Sequence, residues 1–184
     1  MNNQVVATQS GLVRGSSAQG ARRWLGIPYA QAARFTAPVA APTWADVRDA
    51  TVPGPQCPQM YGNAAKRARI AQPDFSEDCL TVNIYAPDDL GEDERLPVYV
   101  WIHGGAFVAG SGNSYDGSQL ARDGRIVVVT INYRVGILGF VNLGAALNSA
   151  DIPSNLGLRD QISTLTWVRT NIAAFGGDPD RVTI

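Results

Sequence analysis

Val98–Gly112 reads VYVWIHGGAFVAGSG, a run of apolar, largely β-branched residues that breaks without transition into glycines. A near-continuous apolar run of this length suits a strand covered on both faces, as in a parallel sheet. A second such run, IVVVTI (Ile126–Ile131), follows. Between the two lie the glycine-rich loop and a short helical candidate around Gly117–Arg122, the makings of a crossover between parallel strands. Further on, Leu158, Ile162, Leu165, Val168, Ile172 and Phe175 step by three or four residues. That spacing predicts a helix over Leu156–Phe175 with one apolar stripe. Gly176-Gly177 stops it, Asp178-Pro179 turns out of it, and Arg181–Ile184 begins another strand. Strand, loop, helix, strand, helix, strand is an α/β pattern.

Upstream, CLTVNIY (Cys79–Tyr85) alternates with the period of a strand, and a charged connector, APDDLGEDERLP, links it to Val98. Residues 1–60 are rich in Gly, Pro and Ala, with short strand-like pieces at Asn3–Thr8 and Gly11–Arg14 and recurrent turn chemistry. Residues 61–71 suggest one short exposed helix. The expectation is a single domain over 1–184, with a looping arm over 1–75 and the start of the α/β core over 76–184.

The 184 residues are 45% hydrophobic and 17% charged, which marks a globular chain. A net charge of −1, with Lys66 the lone lysine and the arginines scattered, gives no reason to expect nucleic acid or an anionic membrane as partner. No stretch approaches the roughly 20 apolar residues of a membrane helix. The N-terminus lacks the basic and apolar regions of a signal peptide, so the expected compartment is the cytoplasm, with secretion left open. Two cysteines and a single histidine do not make a zinc site. Cys57 and Cys79 are either buried thiols or a bridge closing a loop of about 23 residues, worth roughly 3 kcal/mol. Asp74, Glu77 and Asp78 cluster without the second ligand group that a metal would need.

The chemistry concentrates at Trp101–Gly112. Residues without side chains let backbone N–H groups face a ligand atom, and two or three such donors make an anion trap for a phosphate or for the oxyanion of acyl transfer. No phosphate-loop pattern is present, and a tight turn with no ligand is the plain alternative. An HGG[GA] sequence after a strand, however, is the oxyanion signature of lipases and esterases. His103, the only imidazole, stands beside the glycines, where it suits a hydrogen bond that shapes the loop better than a general base.

These segments carry a family likeness. GLVRG (Gly11–Gly15), WLGIPYA (Trp24–Ala30), RFTAP (Arg34–Pro38) and DATVPGPQCPQ (Asp49–Gln59) are followed in order by SEDCLTVNIYAP (Ser76–Pro87), VYVWIHGGAF, SYDGSQLA, VVVTINYRVGILGF and the run from Asn155 to Ile184. In that order they resemble the N-terminal third of the type B carboxylesterase and cholinesterase family. The resemblance implies an incomplete α/β-hydrolase fold, holding the N-terminal arm and first strands of a central, mostly parallel sheet and ending before the nucleophile elbow.

In the family the strand that begins DRVTI runs into FGESAG, whereas no G-x-S-x-G occurs in these 184 residues. The implied function is the N-terminal segment of a serine carboxylic-ester hydrolase with an acyl-enzyme mechanism, its Ser/acid/His triad lying beyond Ile184 and this chain inactive alone. The alternatives are a non-catalytic binding module of the same fold and an inactive remnant. Gly105 and Ala106 take the place of two oxyanion donors, and Gly104 gives the backbone room. Cys57 and Cys79 match the family's first disulfide. Arg34 with Glu77, and Arg134 with Asp160, match internal ion pairs that would determine folding. Trp101 and Phe107 fall to the core or the gorge lining. The substrate implied is a small ester, with no cofactor and no metal. One departure is AQAA (Ala30–Ala33), shorter than the family's loop there. The last strand, central in such sheets, is expected to present an open and adhesive edge.

Overall fold

A computed structural model describes residues 4–60, 74–91 and 93–184. Its strands are β1 (Val5–Thr8), β2 (Gly11–Arg14), β3 (Ser16–Ala18), β4 (Ala21–Pro28), β5 (Ala30–Gln31), β6 (Val39–Ala40), β7 (Arg48–Asp49), β8 (Thr81–Pro87), β9 (Leu96–Ile102), β10 (Val127–Ile131) and β11 (Gly177–Thr183). The helices are α1 (Ser118–Gly124), α2 (Gly136–Phe140), α3 (Leu143–Leu147) and α4 (Leu156–Asn171), with 3₁₀ turns at Gly112–Ser114 and Ile172–Phe175. The helix expected over residues 61–71 lies outside the described residues.

The main sheet has six strands in the order β11-β9-β10-β8-β4-β3. β10 and β11 flank β9 in parallel, whereas β8, β4 and β3 add on antiparallel. The sheet described is therefore mixed, and its parallel part is the side that carries the glycine loop. β4 lies within the stretch expected to be a looping arm, yet it is an eight-residue strand of the core sheet, with Trp24 opposite Ile84. β8, whose sequence alternates, is buried along its whole length and not on one face alone.

Both faces are covered, unequally. On one side the large core joins Trp24, Ile84, Val98, Val100 and Val129 to Trp167, Val168, Ile172 and Phe175. On the other, Ala121 of α1 packs with Leu25, Tyr85 and Val128 in a small cluster. Among the described residues, no helix is long and apolar enough to cross a membrane.

α4 departs from its predicted stripe. Val168, Ile172 and Phe175 are buried, but Leu158 and Ile162 are 42% and 64% exposed. The first half of the helix instead buries Leu156, Asp160 and Thr164. Polar groups can take the inward face because each is satisfied: Asp160 by Arg134, and Thr164 by donating to the Asp160 carbonyl at 2.9 Å. The helix then tightens to a 3₁₀ turn and ends at Gly176. β11 begins at once with Gly177, four residues before the strand start expected from sequence, and its outer side has no strand partner among the described residues.

Candidate active site

β9 ends at Ile102, so its hydrogen-bonded register with β10 (Trp101 opposite Thr130, Ile102 opposite Ile131) fixes where the glycine loop leaves the sheet. His103 comes first and is buried. Its ring stacks on Tyr133 with centroids 4.3 Å apart, and the Tyr133 hydroxyl donates to the His103 carbonyl at 2.7 Å. Nδ1 lies 2.9 Å from the Gly104 carbonyl oxygen, a distance that calls for the proton on Nδ1. Burial lowers the pKa of His103, and the bond to Gly104 opposes that shift only in part. The ring is thus held neutral in the loop's foundation, away from solvent.

Gly104, Gly105 and Ala106 follow on the surface. The Gly105 carbonyl accepts from Val108 N (3.0 Å) and Ala109 N (3.2 Å), closing a turn, while the amides of Gly105 and Ala106 have no partner among the described residues. Gly105 sits at φ +126°, and Ala106 and Phe107 both adopt left-handed conformations, at φ 54° and 61°. Two successive non-glycine residues in that region store strain of about 1–3 kcal/mol each, a feature that clusters at functional sites. The turn is braced from outside, since Gly136 N donates to the Phe107 carbonyl at 2.6 Å and the Phe107 and Phe140 rings lie 4.8 Å apart. Trp101, by contrast, points to a cluster with Tyr115, 5.1 Å away.

The loop's far end is tied down by two residues, Gln59 and Asn132, that sequence reasoning passes over. Gly110 is bonded through both its N–H and its C=O to the side-chain amide of Gln59, at 2.7 and 2.9 Å. Asn132 Oδ1 accepts from the Ser111 hydroxyl and from Gly112 N, both at 2.9 Å. Ser111, the serine nearest the glycines, is buried and also accepts from Asn113 N, so its hydroxyl is occupied in structure. The only sequence signal for Gln59 is its place in DATVPGPQCPQ.

The remaining expected residues fall into two groups. Cys57 and Cys79 are joined in a disulfide. The Arg134 and Asp160 side chains, 5% and 0% exposed, form a two-pronged pair with Nη2 and Nε at 2.7 and 2.8 Å from the carboxylate. Asp160 also accepts from Arg134 N, and Arg134 Nη1 reaches the Thr36 carbonyl at 2.8 Å. Nearby, burial and then the Asp160 charge push the Tyr29 hydroxyl well above its ordinary pKa. Arg34 and Glu77 also pair as expected, with their side chains 64% and 35% exposed in the structure described, unlike Arg134 and Asp160. Each pulls the other's pKa toward the charged form, and over the residues described the pair stands open to screening by water.

The site therefore offers two unpartnered amides at a rigid, exposed turn, suited to an oxygen that acquires negative charge. The profile of the carboxylesterase family matches residues 2–184. Para-nitrobenzyl esterase of Bacillus subtilis is 49% identical over 100% of this chain and 38% of its own length. Carboxylesterase 3B of Mus musculus is 45% identical over 88% of this chain and 29% of its own. Among solved structures, a thermophilic PNB esterase superposes with a TM-score of 0.88 at 49% identity, covering 98% of this chain and 38% of that one. A Geobacillus stearothermophilus carboxylesterase gives 0.86 at 44% identity, covering 98% and 36%. The chain thus spans under two fifths of the length of each of these relatives.

Proposed function

The chain belongs to the carboxylesterase family, and from that premise we propose that it forms the oxyanion-binding part of a serine hydrolase of small carboxylic esters. We read residues 1–184 as belonging to one domain, because β3 and β4 of the 1–75 stretch join the sheet formed by the 76–184 stretch. Nucleophile, acid and base are supplied from outside these 184 residues, because no G-x-S-x-G occurs here and the sole histidine is built into the loop. In the reaction, a histidine takes the serine proton as the hydroxyl oxygen bonds to the ester carbonyl carbon. The carbonyl oxygen, now negative, is held by the amides of Gly105 and Ala106 and by a third N–H beside the serine. Collapse expels the alcohol, which takes the proton from histidine, and water then cleaves the acyl-enzyme by the same steps.

The observation that carries the reading is the pair of amides of Gly105 and Ala106, without a partner among the described residues and just past the parallel strand β9. Preorganised donors of this kind are worth about 10²–10³ in rate each. The test is covalent: the full-length product should be labelled by a serine-directed phosphonate and should hydrolyse p-nitrophenyl esters. A product with the elbow serine replaced, unlabelled and inert, would make the fold a binding module instead.

A further inference from the structure

We infer that Gln59 is a positioning residue for the oxyanion loop, acting through Gly110 on the peptide that carries the Gly105 amide; the inference rests on the ester-hydrolase reading above. The Gln59 side chain lies against the Gly110 backbone as one strand lies against another. Nε2 donates to the Gly110 carbonyl at 2.9 Å, and Gly110 N donates to Oε1 at 2.7 Å. The second Nε2 hydrogen goes to the Cys57 carbonyl at 3.1 Å, so both amide hydrogens and the amide oxygen are used. Cys57 is in turn anchored by its disulfide to Cys79, at the threshold of β8.

Gly110 lies close against the peptide that joins Gly104 to Gly105, with no room for a side chain between them. It stands at φ +123°, and a Cβ added there would lie 2.3 Å from His103 Nδ1 and 2.4 Å from the Gly104 carbonyl oxygen. The Gly104 carbonyl and the Gly105 N–H belong to one planar peptide unit, pointing in opposite directions. Whatever fixes that carbonyl therefore aims that amide. The carbonyl has two supports: His103 Nδ1, which bonds to it, and Gly110, which backs it. Gln59 is what holds Gly110 in place, from a segment 51 residues away in sequence.

The residue type is specific to the task. Clamping a peptide at both its N–H and its C=O needs a planar group with an acceptor and a donor side by side. A carboxylate keeps the acceptor but loses the donor, and places negative charge against the Gly110 and Cys57 carbonyl oxygens. A protonated carboxylic acid restores one donor, which makes Gln59→Glu a variant whose fit depends on pH.

The experiment follows p-nitrophenyl ester hydrolysis by the full-length protein and its Gln59→Ala and Gln59→Glu variants from about pH 5 to 8, with thermal melts alongside. The expected result for Gln59→Ala is a fall in kcat of about 10²-fold, the order seen when reacting groups are misplaced by about 1 Å. KM should stay near the wild-type value, because the lost contact is made in the transition state. For Gln59→Glu, the ratio of kcat to wild type should rise as pH falls through the new carboxyl's pKa. A purely structural glutamine would give neither the split nor the pH-dependent ratio. A folded Gln59→Ala with unchanged kcat, or a flat Gln59→Glu ratio, overturns the inference while leaving the hydrolase reading intact. Should Gln59→Ala fail to fold, the Gln59→Glu ratio decides. A wild-type protein that hydrolyses no ester overturns the reading, and this inference with it.

Discussion

Adding one methyl group at Gly104 and at Gly105 should have opposite consequences, although the two residues are adjacent. At Gly104, an ideal Cβ meets no described heavy atom within 4 Å, and the backbone is outside the left-handed region. Gly104→Ala should therefore change stability by no more than about 0.5 kcal/mol, as surface substitutions do. The methyl would nonetheless stand next to the Gly105 amide, which follows directly in the chain, in space that no described atom fills. A substrate oxygen kept from either donor forfeits about 10²–10³ in kcat/KM. At Gly105, φ is +126° and the new Cβ would lie 1.9 Å from the Ala109 carbonyl oxygen, about 1 Å closer than real Cβ atoms approach. Relief requires opening the turn that Val108 N and Ala109 N close on the Gly105 carbonyl. Overpacking of this kind costs about 1–3 kcal/mol, to which the backbone strain adds. Melting curves and p-nitrophenyl ester kinetics on the two full-length variants separate the cases. The expected pattern is a stable, inactive Gly104→Ala beside a destabilised, inactive Gly105→Ala. Full activity in Gly104→Ala would mean that the carbonyl oxygen does not occupy the space before this loop, and the placement of the oxyanion site would be wrong.

Removing Asp160 strands the buried Arg134 guanidinium, so Asp160→Ala should cost about 3–5 kcal/mol in a denaturant titration, while Arg34→Ala at the exposed pair should be far milder; equal losses would contradict the difference in burial. Reducing the Cys57–Cys79 disulfide should lower stability by roughly 3 kcal/mol in the chain-entropy account, and through Gln59 it should lower kcat as well, with Cys57→Ala reproducing both under oxidising conditions. His103 is buried and its pKa is lowered, so the unfolded chain binds a proton that the folded one refuses. Its contribution to stability is complete above its ordinary pKa near 6.5 and is lost as pH falls below that toward the lowered folded value. Melts in acid should show the decline, and His103→Gln should flatten that part of it; an unchanged slope would place the proton elsewhere.

What the sequence made legible were segments whose burial is apolar. β9 and β10 are legible as strands because their apolar runs carry Val98, Val100, Val127 and Val129, all four held in the large core, although the other face of β9 is only partly covered, with Pro97 exposed and Tyr99 and Trp101 half-buried. β4 is legible only through the family resemblance of WLGIPYA, since Arg22 and Arg23 stand in its first half and mask its apolar run. Arg22 is tolerated because its guanidinium runs out past the sheet to the Asp88 and Leu90 carbonyls. β8 looked half-exposed because Asn83 reads as a surface residue. In the fold it accepts from Gly26 N and donates to Thr130 and Asn113, which lets it be buried. The same misreading turned α4 by part of a turn, since Leu158 and Ile162 attract the eye while the satisfied Asp160 faces inward. In β8 and α4 a polar side chain takes a core position whose partner lies far away in the chain, and in β4 an arginine reaches a distant partner past the sheet; periodicity does not record such partners.

The site obeys the same distinction, with a consequence for how it works. The glycines that offer the amides are visible as a motif, but glycine alone supplies freedom, whereas an oxyanion trap depends on donors that need not reorganise when charge appears. The rigidity comes from polar residues outside the motif. Tyr133 holds the His103 carbonyl at the start of the loop, Gly136 N holds Phe107 in its middle, and Gln59 with Asn132 holds Gly110 and Gly112 at its end. None of these contacts leaves a side chain free to touch substrate through the atoms so engaged. Substitutions in this frame should accordingly weaken the hold on the charged intermediate more than the hold on the neutral ester, and appear in kcat before KM. A frame variant with raised KM and normal kcat would show the loop to be a substrate-binding surface and not a preorganised trap.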